Sequence, residues 1–226
     1  MIEKKELEVE LEKLEELQSI TQPFLRLMME YHCAMEEIAT KLRNLNLEFA
    51  QVYNRNPFET IKTRIKSPSS ILEKMQRRGY DITIGNLEEK LSDIAGVRVI
   101  CSFQKDIYTL ADLLLQQDDV VLLERKDYIQ NPKQNGYRSL HLIVEVPIFL
   151  SSGKKMRKVE IQFRTIAMDF WASLDHKLRY KKDLKNAEMV AAELRECAET
   201  ICGIDVKMQG ILEQIEGDEG YGCRMD

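Results

Sequence analysis

The chain has 226 residues, of which 44% are hydrophobic and 31% are charged, and its formal net charge is −5 at pH 7. This length predicts one main core with helical extensions, because a second domain of ordinary size would leave each core small. No apolar run approaches the length of a transmembrane helix, and the acidic N-terminus lacks the apolar centre of a secretion signal, so we predict a cytoplasmic protein without a membrane partner. Five cysteines without a Cys-x-x-Cys pair and only three histidines disfavour a zinc site and indicate reduced structural thiols.

The charge changes sign along the chain. Residues 1–57 carry a net charge of −4, residues 58–180 carry +4 and residues 181–226 carry −5. The same boundaries divide the predicted organisation into an N-terminal helical extension, a central domain and a C-terminal helical oligomerisation segment. A basic centre in an acidic protein favours a small polyanion in a cleft over a long nucleic acid, although a chance fluctuation of a few charges gives the same values.

The first predicted elements are helical. Leucines at helical spacing among glutamates predict an amphipathic helix over residues 3–20. Thr21 and Pro23 then interrupt the pattern. Because proline is tolerated in a first turn, a second and longer helix is predicted from there to about Asn54, and Pro57 follows its end.

The central residues predict alternating helices and strands. A helix begins at Ser67 and ends at Gly79, Asn86 and Glu89 form a capping box for a short helix, and a further helix covers residues 104–116. This pattern predicts an α/β or α+β fold with a mixed central β-sheet flanked by helices. The predicted strands are residues 97–103, 120–124, 140–146 and 156–164.

A heptad pattern fills the C-terminal segment. Eight apolar residues at alternating spacings of four and three predict one long helix that packs along its length against another helix. The partner helix belongs either to the chain's own central domain or to another subunit. We favour a partly intermolecular role, because two helical arms leave more apolar surface than one small domain covers. The eight residues are Val190, Leu194, Cys197, Ile201, Ile204, Met208, Ile211 and Ile215.

Two carboxylates are candidate metal ligands. Alternate residues of a strand share a face, so Glu160, Gln162 and Arg164 project together. This row predicts the floor of a site, although a strand with one side in solvent gives the same pattern. Asp93 lies at the approach to another strand, from which it can converge with Glu160. Because Mg²⁺ usually takes one or two protein carboxylates and completes its shell with phosphate oxygens and water, we expect Mg²⁺ as the cofactor.

A group of polar residues surrounds the start of the helix after Ser67. These residues share one face of that helix and the extended stretch before it, so they can surround one anion together with the positive end of the helix. Leu72 and Met75 lie on the opposite face. From this segment alone a solvated basic face is the better explanation, and the coexisting carboxylates favour phosphate binding instead. The group comprises Arg64, Lys66, Ser70, Lys74 and Arg77.

Residues 127–139 have the composition of a mobile loop, rich in turn-forming and charged residues. Tyr137 follows a flexible glycine and is placed to stack on a nucleobase, while Lys133 and Arg138 can reach its phosphates. A hairpin turn with an exposed tyrosine is the alternative. His141 starts an alternating strand, where a structural and a catalytic role are equally well supported.

Five motifs in this chain resemble, in the same order, those of the small alarmone synthetases, which are single-domain relatives of the Rel/Spo family. Within that family the chain most resembles the RelP type. Such enzymes transfer the β,γ-pyrophosphate of ATP to the 3′-hydroxyl of GDP or GTP, release AMP and form ppGpp or pppGpp in stringent-response signalling. The resemblance also implies a homotetramer. The motifs span residues 64–74, 93–98, 127–141, 160–165 and 168–176.

The resemblance implies roles for individual residues. Asp93 and Glu160 would hold Mg²⁺, and Glu160 would also accept the proton of the attacking hydroxyl. Arg64 and Arg98 would sandwich the adenine, and Tyr137 would stack on guanine. The residues implied to bind the ATP phosphates are Lys66, Ser70, Lys74 and Arg77. Those implied to position the acceptor or its phosphates are Lys133, Asn135, His141, Gln162 and Arg164.

The sequence also departs from its longer relatives, which carry a hydrolase domain before the synthetase. The chain has no room for that domain and lacks its His-Asp pair, since Asp175 and His176 stand in the reverse order. We therefore predict synthesis without degradation. Relatives often carry glutamate in place of Asp175, which leaves its role open. Two other functions are a template-independent nucleotidyltransferase and a non-catalytic helical scaffold or RNA-binding protein, and the intact carboxylates argue against the second.

Overall fold

A computed structural model describes the backbone of residues 2–52, 56–179 and 187–222 and the side chains of residues 21–52, 56–178 and 188–215. The helices are α1 (Ile2–Val52), α2 (Pro68–Arg77), α3 (Ile84–Lys90), α4 (Gln104–Leu115), α5 (Ile166–Arg179) and α6 (Ala187–Gly222). The strands are β1 (Phe58–Ile65), β2 (Ala95–Cys101), β3 (Val121–Asp127), β4 (Leu140–Leu150) and β5 (Gly153–Thr165). Within these ranges the strands form one sheet in the order β1-β2-β5-β4-β3.

The central strand β5 separates an apolar face of the sheet from a polar face. β5 pairs in parallel with β2 and antiparallel with β4, which makes the sheet mixed. Val159, Ile161 and Phe163 are fully buried on the apolar side, in one core with α1. Their alternation with Glu160 and Gln162 leaves the other side for polar groups. The predicted mixed sheet with flanking helices is therefore confirmed.

The edge strand β1 is an element that the apolar pattern did not predict. The stretch around Arg64 was expected to be extended, and it forms an eight-residue strand that pairs with β2. Most of its side chains are exposed, so it lacks the alternation of a half-buried strand. Helix α4 matches its prediction to within one residue.

Helix α1 runs without interruption through Pro23, so the predicted break at Thr21 and Pro23 is wrong. Proline removes one helical hydrogen bond and costs about 3 kcal/mol or more inside a helix. Tyr31, Ile38 and Leu42 are completely buried on the next turns, and each buried side chain of this size contributes about 1.5–3 kcal/mol. Packing on the sheet thus outweighs the local cost.

Two local predictions in the central region are also wrong. The side chain of Thr83, one residue before α3, accepts a hydrogen bond from the Asn86 amide, so the helix starts three residues earlier than the predicted capping box. On α2 the core-facing pair is Ile71 and Met75, whereas Leu72 is 42% exposed. The apolar face of this short helix is rotated by one residue from the predicted one.

The C-terminal heptad pattern divides into a buried part and an exposed part. Leu194 and Ala198 pack against Trp171 of the same chain, and Asp205 is buried beyond them. In a straight α-helix, residues seven positions apart are offset by about 20° around the helix axis. The face that packs on the chain's own domain therefore passes from Leu194 to Ala198 and Asp205 and leaves the heptad positions. No helix in the described ranges is long and apolar enough to cross a membrane. The exposed apolar residues of α6 include Ile204, Met208, Ile211 and Ile215.

Candidate active site

A cavity of about 450 Å³ opens on the polar face of the sheet, above β1, β2 and β5. The strand register builds its floor, because Lys62 lies opposite Arg98 and Arg98 lies opposite Gln162. One step along the strands, Arg64, Gly96 and Glu160 form a second row. The lining residues are Lys62, Thr63, Arg64, Lys66, Asp93, Gly96, Val97, Arg98, Glu160 and Gln162.

Gly96 keeps the middle of the second row open. A Cβ atom at this position would lie 3.6 Å from the carbonyl oxygen of Arg64 and 4.0 Å from that of Glu160. These are ordinary contact distances, so alanine fits without a clash. Its methyl group would nevertheless occupy space between the arginine and the carboxylate that line the cavity.

Asp93 is a carboxylate with one oxygen occupied and the other available. Its Oδ2 atom accepts hydrogen bonds from Lys66 Nζ at 2.5 Å and makes an ion pair with Lys74 Nζ at 2.7 Å. Oδ1 is buried and has no hydrogen-bond partner among the described residues. Burial alone would raise the pKa of Asp93, but hydrogen bonds and positive charge from the two lysines outweigh it and lower the pKa.

Glu160 is held at both of its carboxylate oxygens. Its Oε1 atom lies 3.1 Å from Nδ1 of His141, and its Oε2 atom accepts a hydrogen bond of 3.0 Å from Nε2 of Gln162. Burial raises the pKa of Glu160, while the hydrogen bond and charge of His141 together with the hydrogen bond from Gln162 lower it by more, so the net shift is downward. The charge of Asp93 acts in the opposite direction, as expected for two carboxylates on one cavity.

Tyr137 lies in the loop of residues 127–139 and connects this loop to the polar side chains of β5. Its hydroxyl lies 2.8 Å from Nε2 of His141 and accepts a hydrogen bond of 2.8 Å from Nη2 of Arg164. The ammonium group of Lys133 lies 4.9 Å from the centre of its ring. The ring of Tyr137 therefore lies among cationic side chains and beside the hydrogen-bonded pair of His141 and Glu160.

The loop that carries Tyr137 is packed against helix α6. Gly136 has φ +84°, and a Cβ atom there would lie only 2.5 Å from the Cβ atom of Ala198. The guanidinium of Arg138 donates to the carbonyl oxygens of Gly136 and Ala198 at 3.1 and 3.3 Å. The turn also closes internally, because the Gly136 amide donates to the Lys133 carbonyl at 2.8 Å. The mobile loop predicted from composition is thus tied to the C-terminal helix in this structure.

Comparison with known proteins identifies the family. Residues 63–185 match the sequence profile described as a region found in RelA / SpoT proteins. The chain belongs to the RelA/SpoT family. GTP pyrophosphokinase YwaC of Bacillus subtilis is 42% identical to it over 203 residues, which are 90% of this chain and 97% of the relative.

Solved structures agree with this RelA/SpoT assignment. The crystal structure of small alarmone synthetase 2 from Bacillus subtilis has a TM-score of 0.75 and 43% sequence identity, covering 84% of this chain and 98% of its own. Small alarmone synthetase 1 from the same organism, bound to its product pppGpp, has a TM-score of 0.77 and 34% identity, covering 85% and 98%. The suspected resemblance to small alarmone synthetases is thereby confirmed.

The structure brings most of the residues singled out in this RelA/SpoT sequence together. Among the residues predicted to bind ATP, Ser70 bonds to Ser67 at the start of α2, and Arg77 is exposed at the other end of that helix. Neither lines the cavity, so their roles stay predictions. Among the residues predicted to position the acceptor, Asn135 has its Nδ2 atom 3.4 Å from Asp175, which gives the aspartate a contact in the loop that its sequence context did not suggest. Those that line the cavity are Arg64, Lys66, Asp93, Arg98, Glu160 and Gln162.

Sequence reasoning missed three residues of the site. Lys62 precedes Arg64 by two positions on β1, so strand alternation already placed the two on one face. Gly96 lies in one of the family-like motifs without having been given a role. Asp169 lies in another, and it accepts a hydrogen bond of 2.9 Å from Arg164. Its other cationic partners, Arg98 and Lys62, lie on strands far away in the sequence, so no local pattern could have found those contacts.

Proposed function

We propose that this chain is a GTP pyrophosphokinase that transfers the β,γ-pyrophosphate group of ATP to the 3′-hydroxyl of GDP or GTP. The 3′ oxygen forms a bond to the β phosphorus, the bond between that phosphorus and the oxygen bridging to the α phosphate breaks, and AMP leaves. The observation that carries the proposal is that Asp93 and Glu160 line one cavity, with lysines and arginines beside Asp93 and with Tyr137, His141 and Arg164 beside Glu160. The named activity of the relative YwaC supports it.

Asp93 and Glu160 are the residues that would hold a divalent cation, for which we propose Mg²⁺. Asp93 offers a buried oxygen without a partner, and both carboxyl groups have lowered pKa values and are therefore ionised near neutral pH. The described residues contain no group of three or more histidine, cysteine or acidic side chains suited to a metal. Two carboxylates with the remaining positions left to phosphates and water fit Mg²⁺, which would neutralise phosphate charge.

The donor nucleotide is proposed to lie over β1 and β2. Arg64 and Arg98 border the cavity and would hold the adenine between their planar guanidinium groups. Lys66 and Lys74 now neutralise Asp93, and the same ammonium groups are within reach of a triphosphate bound beside it. Ser70 and Arg77 are proposed to extend this phosphate site along α2.

The acceptor nucleotide is proposed to lie beside Tyr137, whose ring would stack on guanine. Lys133 covers that ring but is itself exposed, so it can turn towards a phosphate when a base enters. Asn135, His141, Gln162 and Arg164 would orient the acceptor. Glu160 would accept the 3′-hydroxyl proton, because His141 and Gln162 fix its carboxylate and its lowered pKa keeps it ionised.

The experiment is an incubation of the protein with ATP, GDP and Mg²⁺, followed by anion-exchange separation of the nucleotides. The proposal predicts AMP and ppGpp in equal amounts, and Glu160→Gln should abolish both products while the protein stays folded. Glu124→Gln is the matched control, since Glu124 is an exposed carboxylate on the edge strand β3. Release of pyrophosphate without AMP would instead support a template-independent nucleotidyltransferase, and no turnover at all would support a non-catalytic protein.

We further propose that the protein is a homotetramer that only synthesises alarmones, in the cytoplasm where its nucleotide substrates are found. The exposed half of the α6 heptad pattern supports an assembly role, because Met208 and Ile211 are 49% and 42% exposed in the single chain. Light scattering tests the tetramer. Incubation with purified ppGpp tests the absence of hydrolysis, and loss of ppGpp would contradict it.

A further inference from the structure

Asp169, in the first turn of α5, contacts cations from both sides of the site. Its Oδ1 atom accepts a hydrogen bond of 2.9 Å from Nη1 of Arg164 and one of 3.4 Å from Nη1 of Arg98. Lys62 lies 3.7 Å from its other oxygen. The side chain of Asp169 is only 14% exposed, so water screens these contacts less than it would on an open surface. One carboxylate oxygen is therefore shared by two guanidinium groups.

The two arginines face different nucleotides in the proposed function. Arg98 lines the cavity assigned to the donor. Arg164 donates to the Tyr137 hydroxyl at 2.8 Å and to Oε1 of Gln162 at 3.1 Å, on the acceptor side. Asp169 thus sits at the boundary between the two proposed binding sites.

The two guanidinium groups need a shared anion. Burial and the positive charge of Arg164 lower the pKa of Arg98, and the charge of Asp169 acts against that shift. Arg164 is 7% exposed, and its buried Nε atom has no hydrogen-bond partner in the described part of the chain, so its position depends on its two terminal nitrogens. Without Asp169, one of these nitrogens would lose its carboxylate and the two cations would repel each other at short range.

We propose that Asp169 is a positioning residue shared by both nucleotide sites, which holds Arg98 for the donor and Arg164 for the acceptor. The proposal rests on the proposed function for the identity of the two nucleotides. The proposed role of Asp169 needs no contact with the carboxylates assigned to the cation or with the reacting atoms. It acts through the orientation of the two arginines, each of which has a different set of neighbours.

The test measures binding of a non-hydrolysable ATP analogue and of GDP, separately, by calorimetry at about 0.15 M salt, where the Debye length is about 8 Å. Asp169→Asn keeps the shape of the side chain and removes its charge. It should weaken binding of each nucleotide by roughly tenfold, the size expected for one hydrogen bond to a charged group. Asp119→Asn, which breaks the Lys41–Asp119 ion pair away from the cavity, is the matched control and should change neither affinity.

Double variants separate positioning from general damage to the fold. With Arg98→Ala already present, Asp169→Asn should add little to the loss of ATP-analogue binding. With Arg164→Ala present, it should add little to the loss of GDP binding. If Asp169→Asn does not fold, the pair Arg164→Gln with Asp169→Asn removes the uncompensated cation, and its affinity for the ATP analogue should still fall.

The outcomes are distinguishable from failure of the proposed function. If neither nucleotide binds the wild-type chain, the proposed function itself is wrong. If both bind but Asp169→Asn weakens only one of them, or neither, the shared role is refuted. Tighter binding of both nucleotides to Asp169→Asn would show that the carboxylate acts only as a repulsive charge, which also overturns the proposal.

Discussion

Replacing Gly136 with alanine should weaken acceptor binding without affecting the donor. Gly136 has φ +84°, a conformation that costs a residue with a side chain about 1–2 kcal/mol. The new methyl group would also lie 2.5 Å from the Cβ atom of Ala198. Carbon atoms in contact prefer about 3.5–4.0 Å, so the loop or α6 must move by about 1 Å.

The two effects together destabilise the docked loop by about 2–5 kcal/mol, since overpacking a well-filled contact costs roughly 1–3 kcal/mol. Because Tyr137 is the next residue, a displaced loop takes the proposed guanine-stacking ring out of place. A loss of about 2 kcal/mol corresponds to about a 30-fold rise in the KM for GDP or GTP. The KM for ATP should stay within about twofold, because the cavity proposed for the donor does not include this loop.

Steady-state kinetics with each nucleotide varied in turn provide the assay. Gly79→Ala is the matched control, since Gly79 also has a positive φ of 67° but no described atom lies within 4 Å of its Cβ position. It should lose stability without a selective change in acceptor KM. Adding Ala198→Gly to Gly136→Ala removes the methyl on the other side and should recover the part of the acceptor binding lost to the clash, while the cost of the positive φ remains. A folded Gly136→Ala enzyme with unchanged acceptor KM, or one that Ala198→Gly does not rescue, would refute the role assigned to this contact.

Three further predictions follow from other contacts. Met208→Asp on the exposed part of α6 should reduce the molar mass measured by light scattering. An unchanged molar mass for Met208→Asp would exclude this part of α6 from the interface. Leu194→Asp should instead lower the melting temperature, because Leu194 packs on Trp171 of its own chain. Gly96→Ala should raise the KM for ATP more than that for GDP, and equal increases would contradict the donor assignment of the cavity. Burial raises the pKa of Glu30, but Lys155 and Arg157 lower it by more, so the net shift is downward. The stability from Glu30 is therefore fully present above its unfolded pKa of about 4.5 and is lost as the pH falls through the lower folded value. Glu30→Gln should cost about 3 kcal/mol in urea unfolding at pH 7 and less at pH 3, and equal costs at both pH values would contradict this linkage.

The polar face of β5 could be predicted from the sequence because strand alternation is a local property. Glu160 and Gln162 project together, with Ile161 buried between them, as the pattern indicated. The convergence of Asp93 with Glu160 was only an expectation from the sequence, since it depends on the parallel pairing of β2 with β5. That pairing is now seen, and it also explains Gly96, which lies opposite Glu160 in the register.

Features that depend on distant contacts could not be predicted in this way. In its local sequence Asp169 is simply an acidic residue in the first turn of a helix. Acidic residues are common at that position because they interact favourably with the helix dipole. Its pairing with Arg98 becomes visible only when β2 and α5 are placed side by side. Helix α6 illustrates the same limit, because a heptad pattern predicts that a helix packs but not how far along its length its own chain covers it.

The central claim is that Asp93 and Glu160 converge on one divalent cation beside the donor phosphates. The most direct measurement titrates Mn²⁺, as a paramagnetic substitute for Mg²⁺, into the protein with a non-hydrolysable ATP analogue and follows free Mn²⁺ by electron paramagnetic resonance. Asp93→Asn and Glu160→Gln should each weaken Mn²⁺ binding by at least about tenfold, the lower end of what even outer-shell changes cause, while Glu124→Gln binds as the wild type does. Unchanged Mn²⁺ affinity in both of the first two variants would contradict the account.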